Sequence, residues 1–324
     1  MFKAISSIIG TLLMLIITIA LVGFSYSYIS GVFTTKTAEV FYVVDSLNDT
    51  VTISNSGTAV VNSMRATLDG NSIPIAVVPN IQGLVGYWSF NEGSGSTASD
   101  NSGNRNIGSL INGPMWIDGK YGKAIQFDGV DDGIKQNDGS NVNIVGDITV
   151  EAWVKPTLGS DSTVVHKDGQ YSLLVRGGTG FVTWADSSIW SYATFGNQNI
   201  GLQANTWQHL VATDTGGTVR LYLDGQDKFN KPFGGFLTAT NAIMHIGCYS
   251  GTDVCSTNFF NGAIDEVRIY NRALSESEIK QLYSGLILPG QLATIKPLAT
   301  LTSGKHTLRL CTSSMCSTAV LTIR

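Results

Sequence analysis

A run without a single charged residue extends from Ile5 to Thr35, and it restricts what this chain can fold into more than any other feature. Most positions of the run up to Phe24 are Ile, Leu, Val or Met. A charged group inside hydrocarbon is costly, and about 20 consecutive apolar residues are enough to cross the hydrocarbon core of a bilayer. We therefore predict a hydrophobic α-helix over residues 5–36, held in a membrane or packed against other apolar helices.

The residues in front of this run predict how the segment is processed. A single basic residue, Lys3, is followed by Ala4 and then directly by Ile5. A secretory signal has a longer basic region, a shorter apolar core and a cleavage site after that core. We expect cleavage between Ala4 and Ile5 instead, so that residues 1–4 are a leader peptide and the apolar helix stays on the mature protein. An uncleaved signal anchor and a conventional cleavage near Ser25–Ser27 stay open as alternatives.

Lys3, Ala4 and Ile5, together with the apolar run, resemble the class III signal peptide of archaeal type IV pilins and archaellin-like proteins. The pattern of that family is a basic residue, Gly or Ala, the cleaved bond and then an apolar residue. Ile9 stands where bacterial pilins commonly have glutamate, which favours the archaeal branch. The resemblance implies a prepilin peptidase, a pilus assembly machinery and identical subunits that pack through this helix.

Composition indicates an exported protein that is mainly β. Charged residues make up 14% of the chain and the formal net charge is -4, so no basic surface for nucleic acid is expected. The 36 glycines, with many Ser, Thr and Asn residues, predict numerous tight turns.

Two separate parts of the chain show short alternating strands of a similar kind. From Ala38 the apolar residues recur with a period of two, as they do again over the last forty or so residues. The first part is too short to close a sandwich by itself. We infer that residues 38–82 and 286–324 form one discontinuous β-domain, which resembles the small sandwich of archaeal pilins.

The residues between these two parts, 83–285, are predicted to be an inserted domain. Insertions are tolerated at loop tips, and the ends of a folded domain usually lie close together. The insert contains, in this order, the segments GLVGYWSFNEGSGS, YGKAIQFDGVDDGI, ITVEAWVKP, NTWQHLVAT, VRLYLDG and FNGAIDEVRIYNRALSESEIKQLY. The series resembles the concanavalin A-like or laminin G-like jelly-roll domain of many secreted proteins, which implies a two-sheet antiparallel sandwich.

The predicted fold class is therefore mainly β, with an N-terminal hydrophobic α-helix, a small discontinuous β-sandwich and an inserted antiparallel jelly-roll sandwich. Within the insert, Thr149–Val154 alternates and carries Trp153 on the face opposite to Val150, so that this strand is expected to be covered on both sides. Ser275 and Glu278 form a capping box and predict one short helix.

The four cysteines form two close pairs along the sequence. Three pairings are formally open, and we expect Cys248 to bond with Cys255 and Cys311 with Cys316, since each bond staples a loop between adjacent strands. A zinc site made of all four thiolates is the alternative, although the spacers are longer than zinc knuckles usually have.

A structural calcium ion is the predicted cofactor. Calcium binds six to eight oxygens from carboxylates, amides and carbonyls. Such oxygens cluster after the first strand of the insert, and Asp265 in its last strand could complete the set; the predicted ligands are Glu92, Asp100, Asn101, Asn104 and Asp265. The alternative is a solvated turn with Asp265 as a buried hydrogen-bond acceptor. A second acidic loop, Asp128–Asp132, is interpreted as a plain turn.

Carbohydrate binding is the predicted activity of the insert. Sugar sites use exposed aromatic rings beside hydrogen-bonding groups, and Trp190 and Tyr192 are the candidates, whereas Trp184 is expected in the core. Asn48 begins an acceptor triplet for N-glycosylation.

Catalysis is not expected. Glycoside hydrolysis needs two carboxylates that face one bond, and Asp265 and Glu266 are adjacent in a strand, which predicts opposite faces. The four histidines, His166, His209, His245 and His306, are scattered along the sequence, and His209 is expected to be structural.

The leading prediction is a pilin-like surface subunit, anchored in the membrane before assembly and extracellular in a filament, that presents the insert for adhesion to a carbohydrate or a surface protein. A membrane-anchored lectin that never polymerises, a low-copy minor pilin at a filament tip and a secreted glycosidase are the rival interpretations.

Overall fold

Strands dominate the part of the chain that the structure, a computed structural model, describes: residues 39–47, 50–61, 64–73, 75–79, 82–136, 141–176, 181–186, 198–215, 218–232, 237, 239–251, 254–287, 289–290, 292–297 and 301–323. The predicted leader and helix, with the processing residues Lys3, Ala4 and Ile5, lie outside these ranges, and so do Asn48, Trp190 and Tyr192. Among the described residues no helix is both long and apolar enough to span a bilayer.

The strands and the helix of these ranges follow in chain order, and their labels are used below: β1 (Phe41–Leu47), β2 (Thr50–Asn55), β3 (Arg65–Leu68), β4 (Asn71–Ile73), β5 (Ile75–Pro79), β6 (Leu84–Trp88), β7 (Thr97–Ala98), β8 (Gly108–Ile111), β9 (Met115–Asp118), β10 (Lys123–Asp128), β11 (Gly133–Gln136), β12 (Ile148–Pro156), β13 (Ser162–Lys167), β14 (Tyr171–Arg176), β15 (Phe181–Asp186), β16 (Gln198–Asn199), β17 (Gln208–Asp214), β18 (Thr218–Leu223), β19 (Gln226–Pro232), β20 (Met244–Ile246), β21 (Asn261–Tyr270), α1 (Glu276–Ser284), β22 (Leu292–Pro297), β23 (Gly304–Cys311) and β24 (Cys316–Ile323).

Two four-stranded antiparallel sheets combine strands from both ends of the described chain. Their strand orders are β1-β2-β22-β5 and β24-β23-β3-β4. In the first sheet Val51 lies opposite Ile295 and Ile53 opposite Ala293. Apolar residues of both sheets share one core, which includes Phe41, Val51, Ile53, Ala66, Ile295, Leu308, Leu310 and Leu321. Strands that follow the insert are thus paired with strands that precede it.

Two eight-stranded antiparallel sheets are formed by the strands between β5 and β22. The first has the order β19-β18-β17-β12-β21-β10-β9 with β6 also paired to β21, and the second has the order β16-β15-β14-β13-β20-β11-β8-β7. Their inner faces share a large core that includes Trp88, Phe90, Phe127, Val150, Leu173, Ile246 and Phe260. The two sheets therefore pack face to face, as the predicted jelly-roll sandwich requires.

The central strand β12 is buried on both of its faces, which confirms the expectation from its sequence. Val150, Ala152 and Val154 point into the core between the larger sheets, whereas Trp153 lies on the outer face and is also buried. Helix α1 covers part of that outer face through a small apolar cluster that contains Val211, Tyr222, Tyr270, Leu274, Ile279 and Leu282.

Helix α1 begins where the sequence predicted. The Ser275 side chain accepts a hydrogen bond from the Glu278 backbone, the Glu278 side chain accepts one from the Ser275 backbone, and Gly285 ends the helix in the left-handed conformation. These bonds satisfy backbone groups that a helix end leaves without intrahelical partners. The capping box is confirmed.

Both predicted disulfides are present. Cys248 is bonded to Cys255 and Cys311 to Cys316, and no free cysteine remains. The four sulfur atoms are therefore not available as zinc ligands, and the zinc alternative is wrong. The first disulfide packs on β11, where a side chain at Gly133 would meet both of its sulfur atoms.

Candidate functional site

The carboxylate of Asp100, the centre of the predicted calcium loop, is saturated by hydrogen bonds from the chain itself. Its two oxygens accept bonds from the backbone N–H groups of Tyr87, Ser102 and Asn106, at 2.8–2.9 Å. They also accept bonds from the Ser102 hydroxyl and the Asn106 amide, both at 2.8 Å. Asp100 thus closes the loop from within, as a hydrogen-bonded carboxylate does in a tight turn.

The other predicted calcium ligands are held in different ways. Glu92 accepts a bond from the Ser99 backbone, Asn101 donates to Ser89, and Asn104 donates to the Val85 carbonyl. Asp265 lies under another loop, where it accepts a hydrogen bond from the Tyr121 backbone at 3.0 Å. The hydrogen bonds therefore place Asp265 beside the loop at Tyr121 rather than in the turn closed by Asp100.

A different acidic group is the closest to a metal-binding arrangement. Of all His, Cys, Asp and Glu side chains in the described residues, only Asp128, Asp131 and Asp132 bring three ligand atoms within 4.8 Å of one another. Asp128 caps its own turn through the Val130 backbone at 2.8 Å, and this bond lowers the pKa of Asp128. Burial raises the pKa of Asp132. The predicted calcium set, by contrast, does not form such a three-carboxylate cluster, and calcium there stays a prediction.

A buried ionic network lies on the outer face of the first larger sheet. The Arg268 guanidinium donates to Glu151 at 2.7 Å and also to Glu266. The Glu151 carboxylate lies 3.0 Å from His209 Nε2, and the Tyr87 hydroxyl donates to Glu266 at 2.9 Å. All five side chains are buried. A charge removed from water in this way needs paired charges and hydrogen bonds to be tolerated.

The charges of this network tune one another. Burial raises the pKa of Glu151, but the nearby Arg268 and His209 outweigh it, and the net pKa of Glu151 is lowered. Burial lowers the pKa of Arg268, but the charge of Glu266 and its neighbours holds the net pKa well above the ordinary value. Glu151 and Arg268 therefore stay charged as a pair at neutral pH. His209 belongs to this network, in agreement with the structural role expected for it.

A β-bulge brings Asp265 and Glu266 to the same face, so the expectation of opposite faces is wrong. Ile264 and Val267 both point into the core, and the pairing of β12 with β21 shifts register between Glu151 and Trp153. Glu266 adopts a φ of 53° at this point. A bulge inserts one residue into the strand and breaks its alternation.

The proximity of the two carboxylates does not make an accessible catalytic pair. Burial and the charge of Glu266 raise the pKa of Asp265 well above its ordinary value. Both side chains are enclosed, with exposed fractions of 0% for Asp265 and 1% for Glu266. Glycoside hydrolysis requires two carboxylates that share a face and contact the substrate. Asp265 and Glu266 share a face, but they are too buried to contact a substrate.

Aromatic rings close this face of the sheet. The Tyr283 ring of α1 is stacked on Trp153 with centroids 5.8 Å apart, and Tyr121 meets the edge of the same indole at 5.8 Å. The Lys120 ammonium lies 4.2 Å from the centroid of the Trp153 ring. Trp153 is thus covered by a helix residue and by the loop that also holds Asp265. These contacts pack α1 and the loop at Tyr121 against the outer face of the sheet.

A polar row crosses the outer face of the second larger sheet. The register places Ser109 opposite Lys135, Lys135 opposite His245, His245 opposite His166 and His166 opposite Ser172. Met244 and Ile246 point into the core, so His245 between them points outward. The histidines are scattered along the sequence, but the fold places His166 opposite His245.

The loop closed by the Cys248–Cys255 disulfide contacts this row. Tyr249 pairs with Thr257 in an isolated bridge, and its ring lies 4.1 Å from the ring of His166. The Ser250 carbonyl lies 2.8 Å from His166 Nε2. Burial lowers the pKa of His166 to about 4, so the ring is neutral at physiological pH.

At its far end the row reaches β14, which is paired with β15. Ser172 on β14 lies opposite Ala185 on β15, and residues 187–197, with Trp190 and Tyr192, connect β15 to β16. Trp184 lies in β15 opposite Leu173. That Lys135, His166 and His245 are neighbours is not apparent from the sequence. The only sequence feature that these residues share is that each is a polar residue at an outward position of its strand. The three strands are far apart in the chain.

Residues 128–280 match the family described as "Concanavalin A-like lectin/glucanases superfamily". Residues 128–280 are thus similar to a laminin G-like jelly-roll domain over just under half of the chain. The match lies within the two larger sheets and α1. It includes the ionic network at Arg268 except Tyr87, and the row at His166 except Ser109.

Solved structures similar to the jelly-roll domain come from proteins of several kinds. Domain 4 of an extracellular arabinanase from Geobacillus stearothermophilus, in complex with arabinotriose, is 26% identical, with 62% of this chain and 98% of that chain covered and a TM-score of 0.49. The receptor binding domain of a botulinum neurotoxin of mosaic serotype C/D is 16% identical, with 63% and 51% covered and a TM-score of 0.46. Trypanosoma rangeli sialidase in complex with sialic acid is 18% identical, with 64% and 33% covered and a TM-score of 0.47.

This chain thus spans about half of the neurotoxin domain and about a third of the sialidase. No curated protein sequence matches the chain significantly.

Proposed function

We propose that this protein is a pilin-like cell-surface subunit that presents its jelly-roll domain outside the cell for adhesion to carbohydrate. A prepilin peptidase removes residues 1–4, and the apolar segment Ile5–Thr35 first anchors the protein in the membrane and then packs with identical subunits in a filament. Polymerisation multiplies weak contacts into firm attachment. The family match of residues 128–280 supports the lectin-like part of this proposal.

One observation carries the arrangement: β22 lies between β2 and β5 in a single sheet. Because β22 follows the jelly-roll domain in the chain and the other two strands precede it, the domain is inserted into the small sandwich. The small sandwich begins directly after the apolar segment. It therefore forms a base that carries the jelly-roll domain, and the base is joined to the anchor.

The two ends of the inserted domain are held together at this base. The Arg272 guanidinium donates to the Gln82 carbonyl at 2.7 Å, and the Asn271 backbone donates to the Gly83 carbonyl at 2.8 Å. Arg272 also forms a two-pronged ion pair with Glu278 of α1 at 3.0 and 2.7 Å. Entry and exit strands that are tied to each other favour a domain that projects from its base as one unit.

The binding residues that we assign are Trp190 and Tyr192. The polar row is not part of this surface, because His166, His245 and Ser172 are buried. Aromatic rings stack on the apolar faces of sugars, and a few well-placed polar groups fix their orientation. Each jelly-roll domain then binds one glycan, and the filament presents many copies of this binding site.

The experiment is N-terminal sequencing of protein sheared from cells, with electron microscopy of the same fraction. Filaments whose subunits begin at Ile5 are expected. An intact Met1 in membrane-bound protein without filaments would replace this function by that of a non-polymerising anchored lectin.

A glycan array tests the binding surface separately. The wild-type protein is compared with a Trp190→Ala, Tyr192→Ala double variant and with Met115→Ala, which removes an exposed apolar side chain from the same domain. Loss of glycan signal in the double variant alone is expected. Equal signals in all three proteins would place the sugar site elsewhere.

A further inference from the structure

The small sandwich carries an apolar patch on its outer surface, which we call the β1 patch and define as Val40, Tyr42, Val44 and Val320. Their exposed fractions are 39%, 53%, 50% and 52%. Tyr42 and Val44 lie on β1, and Val40 directly precedes this strand. Val320 lies on β24, where its carbonyl accepts a hydrogen bond from the Ser46 hydroxyl at 3.1 Å. The patch is thus formed at β1 and β24, which are edge strands of the two smaller sheets.

The patch is unusual because the surface next to it is polar. On β2 the buried positions are Val51, Ile53 and Asn55, and the outward positions between them are Thr or Ser. On β24 the residues Thr318 and Thr322 flank Val320 and are exposed. Exposed apolar residues that are grouped within a polar surround indicate an interaction site.

The N-terminal segment joins the sandwich at one end of this patch. Glu39 accepts hydrogen bonds from the Ser313 hydroxyl through its carboxylate, at 3.0 Å, and from the Ser314 hydroxyl through its carbonyl, at 2.8 Å. The Phe41 backbone is also held by Met315. The chain therefore reaches β1 at a fixed point beside the Cys311–Cys316 turn, immediately before Val40.

We propose that the β1 patch binds the uncharged segment Ile5–Thr35 of a neighbouring copy of this chain. The segment is apolar and has no charge over its whole length, so it needs an apolar surface wherever it is not in lipid. The acidic residues Glu39 and Asp45 flank the patch, which suits an uncharged protein segment better than anionic lipid headgroups.

The chain's own segment is a poorer occupant than that of a neighbour. β1 leads away from Glu39, and the patch follows β1. The preceding segment would have to reverse its direction within residues 36–39 to lie along the patch, and Glu39 is already held by Ser313 and Ser314. A neighbouring copy in a parallel array needs no such reversal. This inference rests on the proposed function, because it needs copies that lie side by side.

Site-specific photocrosslinking of the full-length protein in its native membranes tests the inference. Tyr42→p-benzoylphenylalanine places the crosslinker in the patch with little change in shape, and Asn230→p-benzoylphenylalanine, on the exposed edge of β19, is the matched control. Irradiation of the Tyr42 variant is expected to give a product of twice the mass, with the crosslink mapped by mass spectrometry to residues 5–35 of the second copy.

A second variant separates docking from folding. Val44→Asp on the Tyr42 crosslinking background is expected to reduce the product about tenfold, since a charge then faces an apolar partner. Thr318→Asp at an exposed polar position is expected to leave it unchanged. Equal thermal unfolding midpoints of the two variants would show that both are folded.

The inference is overturned by a crosslink within one chain, to lipid or to another protein, or by no crosslink. N-terminal sequencing and microscopy of the same sample distinguish the cause. Filaments of subunits that begin at Ile5 without a crosslink to residues 5–35 reject the docking surface alone, whereas an intact Met1 without filaments rejects the proposed function with it.

Discussion

Glu151 on β12 lies opposite Arg268 on β21, and their side chains form a 2.7 Å ion pair that water does not reach. The pair joins two central strands of the first larger sheet on its outer face, beneath α1 and the loop at Tyr121. Desolvation of two such charges is costly. The pair is therefore expected to matter most when one partner is removed and the other is left buried and charged.

We predict that Glu151→Gln lowers the free energy of unfolding by about 3–5 kcal/mol, because Arg268 loses a charged partner in a buried position. Asp118→Asn is the matched control, since it breaks an ion pair with Lys123 in which both side chains are exposed, and it is expected to cause a much smaller loss because water screens an exposed pair. Urea unfolding measures both. Equal losses for the two variants would contradict a special role for the buried pair.

Local sequence signals were sufficient for several elements of the fold. The capping box at Ser275 and Glu278 predicted the start of α1 because all of its groups lie within four residues. The alternation of Thr149–Val154 predicted a strand with a second buried face, because Trp153 is too large and apolar to be left in water. The two disulfides followed from short separations along the chain.

Other features depend on contacts that no local pattern encodes. The bulge at Glu266 is set by the pairing of β21 with β12, and a glutamate at a positive φ carries no sequence signal. The placement of His166 opposite His245 depends on β13 and β20 becoming neighbours across a long stretch of chain. The sequence supplied the residues of the ionic network and of the polar row, but only the register brings them together.

The buried ring of His166 predicts a loss of stability in mild acid. Burial, as the largest cause, lowers the pKa of His166 from 6.5 to about 4. Between these two values the unfolded chain binds the proton and the folded chain does not, so unfolding becomes more favourable as the pH falls. The free energy of unfolding is not reduced by His166 above pH 6.5. As the pH falls from 6.5 to 4, protonation of His166 in the unfolded chain lowers it by on the order of 3 kcal/mol.

The measurement is urea unfolding of wild type and His166→Gln at several values between pH 7.5 and pH 4.5, with the variant expected to show the shallower dependence. His306→Gln is an informative control, because hydrogen bonding to Asp69 raises the pKa of His306. The protonated His306 ring stabilises the fold below pH 6.5, and this stabilisation is lost as the pH rises. His306→Gln is therefore expected to lower the free energy of unfolding mainly at acidic pH, and so to make its dependence on pH steeper than in wild type. A pH dependence of His166→Gln identical to that of wild type would show that the ring is not buried.

We predict a local response to reduction of the Cys248–Cys255 disulfide. We expect Cys248→Ser, Cys255→Ser to cost about 2–3 kcal/mol, by the loop-closure estimate for a short loop. Hydrogen exchange is expected to accelerate in β13 and β20, since Tyr249 and Ser250 would no longer be held over His166. The matched variant Cys311→Ser, Cys316→Ser is expected to accelerate exchange in β23 and β24 only. Faster exchange over the whole chain in both variants would argue for global rather than local opening.

Calcium binding at the Asp100 loop stays a prediction, and it competes with the internal hydrogen bonds of the Asp100 carboxylate. If the loop binds calcium, the ion stabilises the folded state by mass action, and millimolar calcium is expected to raise the thermal unfolding midpoint of a chelator-treated protein. Asp100→Asn is then expected to abolish this rise. The same variant is also expected to be less stable without calcium, because its amide nitrogen cannot accept the bonds that the carboxylate oxygens receive.

Asp131→Asn, in the other acidic loop, separates the two candidate positions. It is expected to retain the full rise if calcium binds at Asp100. A rise that disappears in Asp131→Asn and persists in Asp100→Asn would instead assign calcium to Asp128, Asp131 and Asp132, the carboxylates that lie within 4.8 Å of one another. No rise in the wild-type protein would leave both loops as turns closed by their own hydrogen bonds.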